Sequence, residues 1–542
     1  MKQGEFEKIF NSAFDGSVSK YFDDNAENRI KFLKSISPGS HIHISGICGT
    51  GTGAVLQLLK HLGFYVSGSD KAFYPPMGDI IRKTADKIYT EFNTDNLNPR
   101  PEVVVIGNAL SRDNVEVQHI LKEKIPYCSM PEVFSALLIG TREECATSIV
   151  VSGTHGKTTT SSLIASVLSD AGRNPGYFIG GVPTNSSLDG SIRVPPKEMD
   201  ASKRIVVLEG DEYDSAFFAK YSKFHCYRPD IAVITNIEFD HGDIFENLGA
   251  IEAEFKSMIL KIPGEKSTSC GRIVACRDSE NVRKLLDDSK NNPSKIPILW
   301  YGESREGELS NGDISIISRK PWVYQQVPEK RSGQEIEYNL SGHKITVRTR
   351  LTGLHNALNI AATILVVKEL GVGIEIARKS LENYTPVLRR QQIIAEKNNL
   401  LLIEDFAHHP TEVKVTLEGL RSAYPDKRLI AVFEPRSNTS RRDFFREEYK
   451  KALSVADIIV LKEVLESKSS FLGVSSEKAL FNVLDLSNEL EKSGKTSFSS
   501  KNNEEIVSFI EKNMRAGDLI VIMSNGDFGG MPDTLKEKVT RS

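Results

Sequence analysis

One junction constrains this chain more than any other. The apolar run Ser148-Ile149-Val150-Val151-Ser152-Gly153 passes through Thr154-His155-Gly156 straight into Lys157-Thr158-Thr159-Thr160 and a helix-forming stretch that Gly172 ends. A buried strand that turns through two glycines into a helix is the opening half of a strand–helix–strand unit and implies a parallel sheet. The chemistry explains the composition. Glycines let backbone N–H groups close on phosphate oxygens, and the helix N-terminus adds a partial positive charge. Lys157 supplies a point charge for the β- and γ-phosphates, and the Thr158 hydroxyl suits Mg²⁺. ATP and Mg²⁺ are therefore expected, cradled by Gly153, Thr154, His155, Gly156, Lys157, Thr158 and Thr159. The general phosphate-loop pattern has four residues between its glycines, and the spacing here is shorter; the competing reading is a glycine-rich helix entry that binds nothing.

Two chemically loaded segments follow at the ends of further apolar runs. Glu209-Gly210-Asp211-Glu212-Tyr213-Asp214 follows Arg204 to Leu208, and Asn236-Ile237-Glu238-Phe239-Asp240-His241 follows Ile231 to Thr235. In an open parallel sheet the C-terminal strand ends share the ligand-binding edge. Glu209 is placed to offer an oxygen to a hard cation, and His241 to add a ligand or handle a proton. The competing reading of the acids is a solvated turn.

The chain has 542 residues. At roughly 100–200 residues per domain, that implies about three domains. A first unit runs from His41 with strand-like segments HIHISGI, FYVSGSD and EVVVIGNA; a third begins near Pro386 with the continuous apolar runs LLLIEDF, RLIAVFEP, DIIVLKE and DLIVIMSN. Such runs read as strands buried on both faces. The boundaries expected are an extension over 1–39, with helical spacing at Phe6, Phe10 and Phe14, then domains over 40–145, 146–385 and 386–542. The polar stretch Glu303 to Gln334 reads as an excursion or a pair of edge strands. Lys plus Arg total 69 and Asp plus Glu 72, a net charge of −3. That balance gives no overall field for nucleic acid or an anionic membrane, so anion recognition must be local. No apolar run approaches the ~18 residues of a bilayer span, and six scattered cysteines without a CxxC pair fit a reducing cytoplasm.

A second glycine loop, Gly46-Ile47-Cys48-Gly49-Thr50-Gly51-Thr52-Gly53, follows the first strand, and Asp70 ends the second. An acid ~20 residues beyond a glycine turn suits ribose hydroxyls. The glycine order is not the dinucleotide fingerprint, and a nucleotide diphosphate other than NAD is equally compatible.

Taken together, GTHGKTTT, TNIEFDH and LHNALNIAAT, in that order, resemble the Mur ligase family, the ATP-dependent amide-bond-forming enzymes of bacterial peptidoglycan. The resemblance covers about Ser40 to Met531. It implies an α/β chain of three domains: a Rossmann-like N-terminal UDP-binding domain, a central P-loop ATPase-like domain and a C-terminal Rossmann-like domain. It places Gly46, Gly49 and Gly51 at a diphosphate, Ser69 and Asp70 near uridine, and Asn108 in the same UDP-sugar site. Glu209 and His241 match the Mg²⁺ pair. Asn356 and Asn359 would meet adenine, and Arg390, Asp405 and His408 would approach the nucleotide. Arg436, Ser437 and Asn438 would face the incoming peptide.

Within the family, ICGTGTG, YPPM, IGNALSR, DEYDSAFF, EDFAHHPTEV and MSNGDFGG resemble the members that join UDP-N-acetylmuramate to the tripeptide L-Ala-γ-D-Glu-meso-diaminopimelate, a recycling reaction, more than those that add L-alanine, and the resemblance implies the former activity. The implied chemistry activates a carboxylate as an acyl phosphate, which an amine then attacks; His408, His409 or a water would take the amine's proton. Other readings are a nicotinamide-dependent oxidoreductase built on the first glycine loop and a nucleotide-gated module without turnover. Gly210 stands where the family usually has alanine, and Thr52 replaces a bulkier residue.

Overall fold

A computed structural model describes residues 25–541 apart from 74–76, 142, 146, 197, 243, 265–270, 289, 304–311, 327–328, 437–444 and 464–481. Its strands form three sheets. Contacts divide the chain into two compact units: residues up to Glu144 together with Asp214–Tyr227, and Cys145–Tyr213 together with Arg228 onward.

In the first unit, β1 (His41–Ser45), β2 (Tyr65–Ser69), β3 (Lys87–Tyr89), β4 (Val103–Ile106) and β5 (Tyr127–Cys128) lie in the order β3-β2-β1-β4-β5, all parallel. This is the doubly wound order, whose switch point falls between β1 and β4. The glycine loop leaves β1 there and enters helix α1 (Thr50–His61). The helix expected around Phe6, Phe10 and Phe14 lies outside the described residues. Ala26–Ser35 is a helix capped by Asn25, whose Oδ1 accepts from Asn28 N at 2.9 Å. Arg29 on it is buried, and its Nε and Nη2 donate to Glu132 Oε1 at 3.0 and 2.8 Å. Tyr221 Oη donates to the same oxygen at 2.6 Å, and Phe218 lies beneath the guanidinium at 4.9 Å. A buried, fully engaged arginine packs this helix into the first unit.

The second unit contains a ten-stranded sheet in the order β15-β14-β13-β12-β11-β10-β6-β9-β7-β8. Its strands are β6 (Thr147–Ser152), β7 (Gly176–Phe178), β8 (Ile192–Arg193), β9 (Ile205–Gly210), β10 (Ile231–Ile234), β11 (Arg272–Cys276), β12 (Ile298–Glu303), β13 (Ile314–Gln326), β14 (Glu329–Leu340) and β15 (His343–Thr349). The strands around β6 are parallel, so β6, β9 and β10 end on one edge. Helices α2 (Lys157–Asp170) and α3 (Leu354–Glu369) cover the sheet, with Leu163, Ile164, Val207, Val233 and Ile360 in one core. The polar segment departs from the sequence expectation. Its described part forms β13 and β14, which stand inside the sheet order, with β15 at the edge. Ile316, Ile336 and Tyr338 bury into the core, while Tyr338 Oη donates to Ala357 O at 2.8 Å and Gln334 Nε2 to Gly353 O at 3.0 Å. The segment therefore anchors the start of α3.

The same unit holds a six-stranded sheet in the order β16-β17-β21-β18-β19-β20: β16 (Gln392–Lys397), β17 (Leu400–Asp405), β18 (Leu429–Phe433), β19 (Ile458–Lys462), β20 (Thr496–Ser500) and β21 (Leu519–Met523). All pairs are parallel except β16 with β17. Leu401 and Ile403 pack in one cluster, Leu400 and Leu402 in another. Alternate residues thus bury on opposite faces, which is why these strands read as unbroken apolar runs. Helix α4 (Pro410–Ala423) follows β17.

Candidate active site

The phosphate loop connects β6 to α2. Gly153 has φ 130°, and a Cβ there would lie 2.1 Å from Thr235 Oγ1; Gly156 has φ 84°, and a Cβ would lie 2.7 Å from Asn359 Oδ1. Only glycine meets both the dihedral and the contact. The loop is pinned from β10's exit. Thr235 Oγ1 donates to His155 O at 2.6 Å, His155 N to Asn236 Oδ1 at 2.8 Å, and Thr154 N to Asn236 O at 3.1 Å. The first turn of α2, with its helix-terminal N–H groups, opens at Lys157, Thr158 and Thr159.

Lys157 curls back over the loop. Its Nζ donates to Gly153 O at 2.7 Å, Thr154 O at 3.1 Å and Glu212 Oε2 at 3.0 Å, and Asp211 Oδ1 lies 3.8 Å away. Burial opposes its charge, but Glu212, Asp211 and Glu209 outweigh burial and raise its pKa. Thr158 Oγ1 donates to Glu209 Oε1 at 2.8 Å, and Gly180 N donates to Glu209 Oε2 at 2.7 Å. Burial, then Asp211, raises the Glu209 pKa against the pull of Lys157. A buried hydroxyl–carboxylate pair at the helix start is a donor set of hard oxygens that fits Mg²⁺. His241 has φ 51° and stacks against Tyr213 at 4.6 Å, with Nε2 3.9 Å from Glu212 Oε1. It meets Glu212, and no hydrogen bond or ion pair joins it to Glu209 among the described residues.

Asn356 and Asn359 are buried on α3 and joined by a 3.2 Å hydrogen bond, with Asn359 pressed against Gly156. Arg390 lies over Phe406 at 4.9 Å. Asp405 Oδ2 accepts from Gln391 N and Oδ1 from Ala407 N, both at 2.8 Å. Burial raises the Asp405 pKa, with Arg390 opposing. His408 Nδ1 faces Glu412 Oε2 at 3.2 Å; burial opposes its protonation, but Glu412 and Asp240 outweigh burial and raise its pKa. Arg436 is half-exposed and pairs with Asp527 at 2.7 Å, while Ser437 and Asn438 lie outside the described residues.

In the first unit, Gly46 (φ 80°) and Ile47 donate to Ser69 O at 2.8 and 3.1 Å, and Cys48 N donates to Asp70 Oδ2 at 2.8 Å. Asp70 thus braces the loop. A Cβ on Gly51 would lie 2.9 Å from Met130 Sδ, and Gly49 is the N-cap of α1. Asn108 is exposed in the turn after β4, beside the loop: a Cβ on Gly46 would stand 3.6 Å from Gly107 Cα. Ser69 ends β2. Its side chain is fully buried, and its hydroxyl donates to Glu116 Oε2 at 2.7 Å. Glu116 also accepts from Ser45 Oγ at 2.6 Å and Asn96 Nδ2 at 2.7 Å. The hydroxyl supports the loop from below.

Four partners escaped the sequence reading. Asp211 and Glu212 stand in the same acid cluster as Glu209. Glu238 and Glu412 close on the His155 imidazole, at Nε2 3.5 Å and Nδ1 3.2 Å respectively. Glu412 carried a signal: it stands at the third position of α4, where a capping-box acid belongs.

Three family models match in succession: "Mur ligase family, catalytic domain" over 41–142, "Mur ligase middle domain" over 151–367 and "Mur ligase, glutamate ligase domain" over 389–526. The UDP-N-acetylmuramate–L-alanyl-γ-D-glutamyl-meso-2,6-diaminoheptandioate ligases of Haemophilus influenzae and Escherichia coli are 30% and 31% identical, each over 92% of this chain and over 99% and 98% of their own lengths. A UDP-N-acetylmuramate–L-alanine ligase from Acetivibrio thermocellus is 30% identical over 90% of this chain and 93% of its own. The crystal structure of a murein peptide ligase from Psychrobacter arcticus matches with a TM-score of 0.65 at 29% identity, covering 93% of this chain and 99% of that one.

Proposed function

The chain belongs to the Mur ligase family of ATP-dependent carbon–nitrogen ligases, and from that premise we propose that it joins UDP-N-acetylmuramate to the tripeptide L-Ala-γ-D-Glu-meso-diaminopimelate in peptidoglycan recycling. The observation that carries the reading is the buried trio Lys157, Thr158 and Glu209 at the first turn of α2, in a chain whose tripeptide-ligase relatives match it nearly end to end.

A carboxylate does not condense with an amine at neutral pH, because oxide is too poor a leaving group. One carboxylate oxygen therefore attacks the γ-phosphorus of ATP, ADP departs, and the amine displaces phosphate from the acyl carbon. The chain's part is positioning and electrostatics. The first-turn N–H groups of α2 receive phosphate oxygens, and Lys157 turns from Glu212 toward the transferring group. Thr158 and Glu209 would hold the Mg²⁺, which when bound neutralises phosphate charge. Asn359, packed on Gly156, sets where the nucleotide enters, and Asn356 holds Asn359. Arg390, Asp405 and His408 stand at the exit of β17 for the nucleotide. The Gly46–Gly53 loop, Asp70 and Asn108 take the UDP diphosphate and ribose. Half-exposed Arg436, at the exit of β18, is free to exchange Asp527 for a carboxylate of the peptide. Lys157 and the Thr158–Glu209 pair give a nicotinamide reading nothing to do. No helix among the described residues is long and apolar enough to cross a membrane, and ATP and UDP-sugar substrates place the reaction in the cytoplasm.

Phosphate release with UDP-N-acetylmuramate and ATP, started by tripeptide or by L-alanine, tests this. Turnover with tripeptide at least tenfold above that with alanine is expected. Preference for alanine reassigns the chain to the alanine-adding branch.

A further inference from the structure

Beside the oxygen pair that suits Mg²⁺ lies a second constellation with different chemistry. His155 comes from the phosphate loop, Glu238 from the segment after β10, and His409 from the N-cap of α4. One donor atom from each lies within 4.8 Å of the others. His155 Nε2 is 3.5 Å from Glu238 Oε2, and His409 Nδ1, which also accepts the capping hydrogen bond from Thr411 N at 3.3 Å, is 3.7 Å from the same oxygen. Four ligands at bond lengths of about 2.1 Å around a tetrahedral ion stand about 3.4 Å apart, so the side chains are already near that spacing. Both imidazoles are at least nine-tenths buried, and Nε2 of each is buried without a hydrogen-bond partner. Behind His155, Glu412 Oε1 faces Nδ1 at 3.2 Å. A carboxylate on the far nitrogen is the arrangement that orients a metal-binding imidazole and raises its basicity. Thr411 Oγ1 donates to Glu238 Oε2 at 2.7 Å and steadies the carboxylate in the same way.

We infer that His155, Glu238 and His409 form a second cation site, selective for a borderline divalent ion of the zinc class, that fastens the phosphate loop to the first turn of α4. Two imidazole nitrogens and one carboxylate favour zinc, cobalt or nickel over magnesium. The fourth position is left to water. Because the ion grips the loop residue between the two glycines, its occupancy couples to nucleotide binding at α2.

The test is equilibrium dialysis of metal-stripped full-length protein against zinc chloride in millimolar magnesium, with cobalt absorption as the second readout. Wild type is expected to bind one zinc per chain more than His409→Gln and Glu238→Gln, each losing affinity for that ion at least 100-fold, and to show the intense bands of tetrahedral cobalt that both variants lack. Thermal unfolding in chelator confirms that the variants fold, and zinc raises the midpoint of wild type alone. His241→Ala retains the ion. Equal zinc binding by wild type and both variants, or loss of the ion in His241→Ala, overturns the assignment.

Discussion

Lys157 is the residue whose removal separates structure from chemistry most sharply. Replacing it by methionine keeps the packed stem and deletes only the ammonium. Its side chain is 10% exposed, and that of Glu212 is 1% exposed at 3.0 Å. Glu212 and Asp211 then remain buried with their cation gone. Breaking a buried pair from one side costs about 3–5 kcal/mol, chiefly because the surviving charge is uncompensated. The capping bonds to Gly153 O and Thr154 O go too, so the expectation lies at the upper end of that range. The chain's two tryptophans, Trp300 and Trp322, both belong to the ten-stranded sheet, so fluorescence in urea reports this unit. Lys157→Met should lower the urea midpoint, and adding Glu212→Gln should recover about 1–3 kcal/mol as coupling. Ligation behaves differently: with the transferring phosphoryl's charge partner gone, kcat falls about 10²–10³-fold in both single and double variants. An unchanged midpoint together with activity within tenfold of wild type would contradict both roles of the Lys157 ammonium.

Three further outcomes follow from the geometry. Gly156→Ala puts a Cβ 2.7 Å from Asn359 Oδ1 at φ 84°; stability should drop by more than about 1 kcal/mol, and the KM for ATP should rise with little change in that for UDP-N-acetylmuramate. Burial pushes the Glu116 carboxyl up, but His43, Ser45 and Ser69 pull it below the usual range. Its stability contribution is therefore present above its unfolded pKa of about 4.3 and is lost as pH falls; Glu116→Leu should weaken UDP-sugar binding in calorimetry by loosening the loop from beneath. Burial lowers the His355 pKa to about 4, so the unfolded chain binds the extra proton between that value and about 6.5, and stability rises with pH across the window by on the order of 3 kcal/mol. His355→Phe should flatten that slope in pH-dependent urea midpoints.

What was legible in the sequence was what depends on neighbours along the chain. β6, β17 and β21 stand out because both faces are buried, so no polar alternation interrupts them. The two glycines of the phosphate loop are legible because their dihedrals and contacts exclude other residues. The β13–β14 region was harder to read. Ile336 and Tyr338 face the core, while Glu335 and Glu337 between them pair outward with Arg348 and Lys344, so the segment reads as merely polar. Partners that meet through the tertiary fold were not legible. Glu212 lies 55 residues from Lys157, and nothing in the local pattern says that it, and not Glu209, receives the ammonium. The same holds for Ser69, whose hydroxyl turns inward to Glu116, a helix residue 47 positions away.

If the carboxylate of UDP-N-acetylmuramate is phosphorylated before the peptide amine attacks, one of its oxygens leaves with the phosphate. Ligation with substrate labelled with oxygen-18 in that carboxylate tests it directly, by mass spectrometry of the released phosphate. One labelled oxygen in phosphate is expected for each tripeptide amide formed. Amide formation with unlabelled phosphate would contradict it.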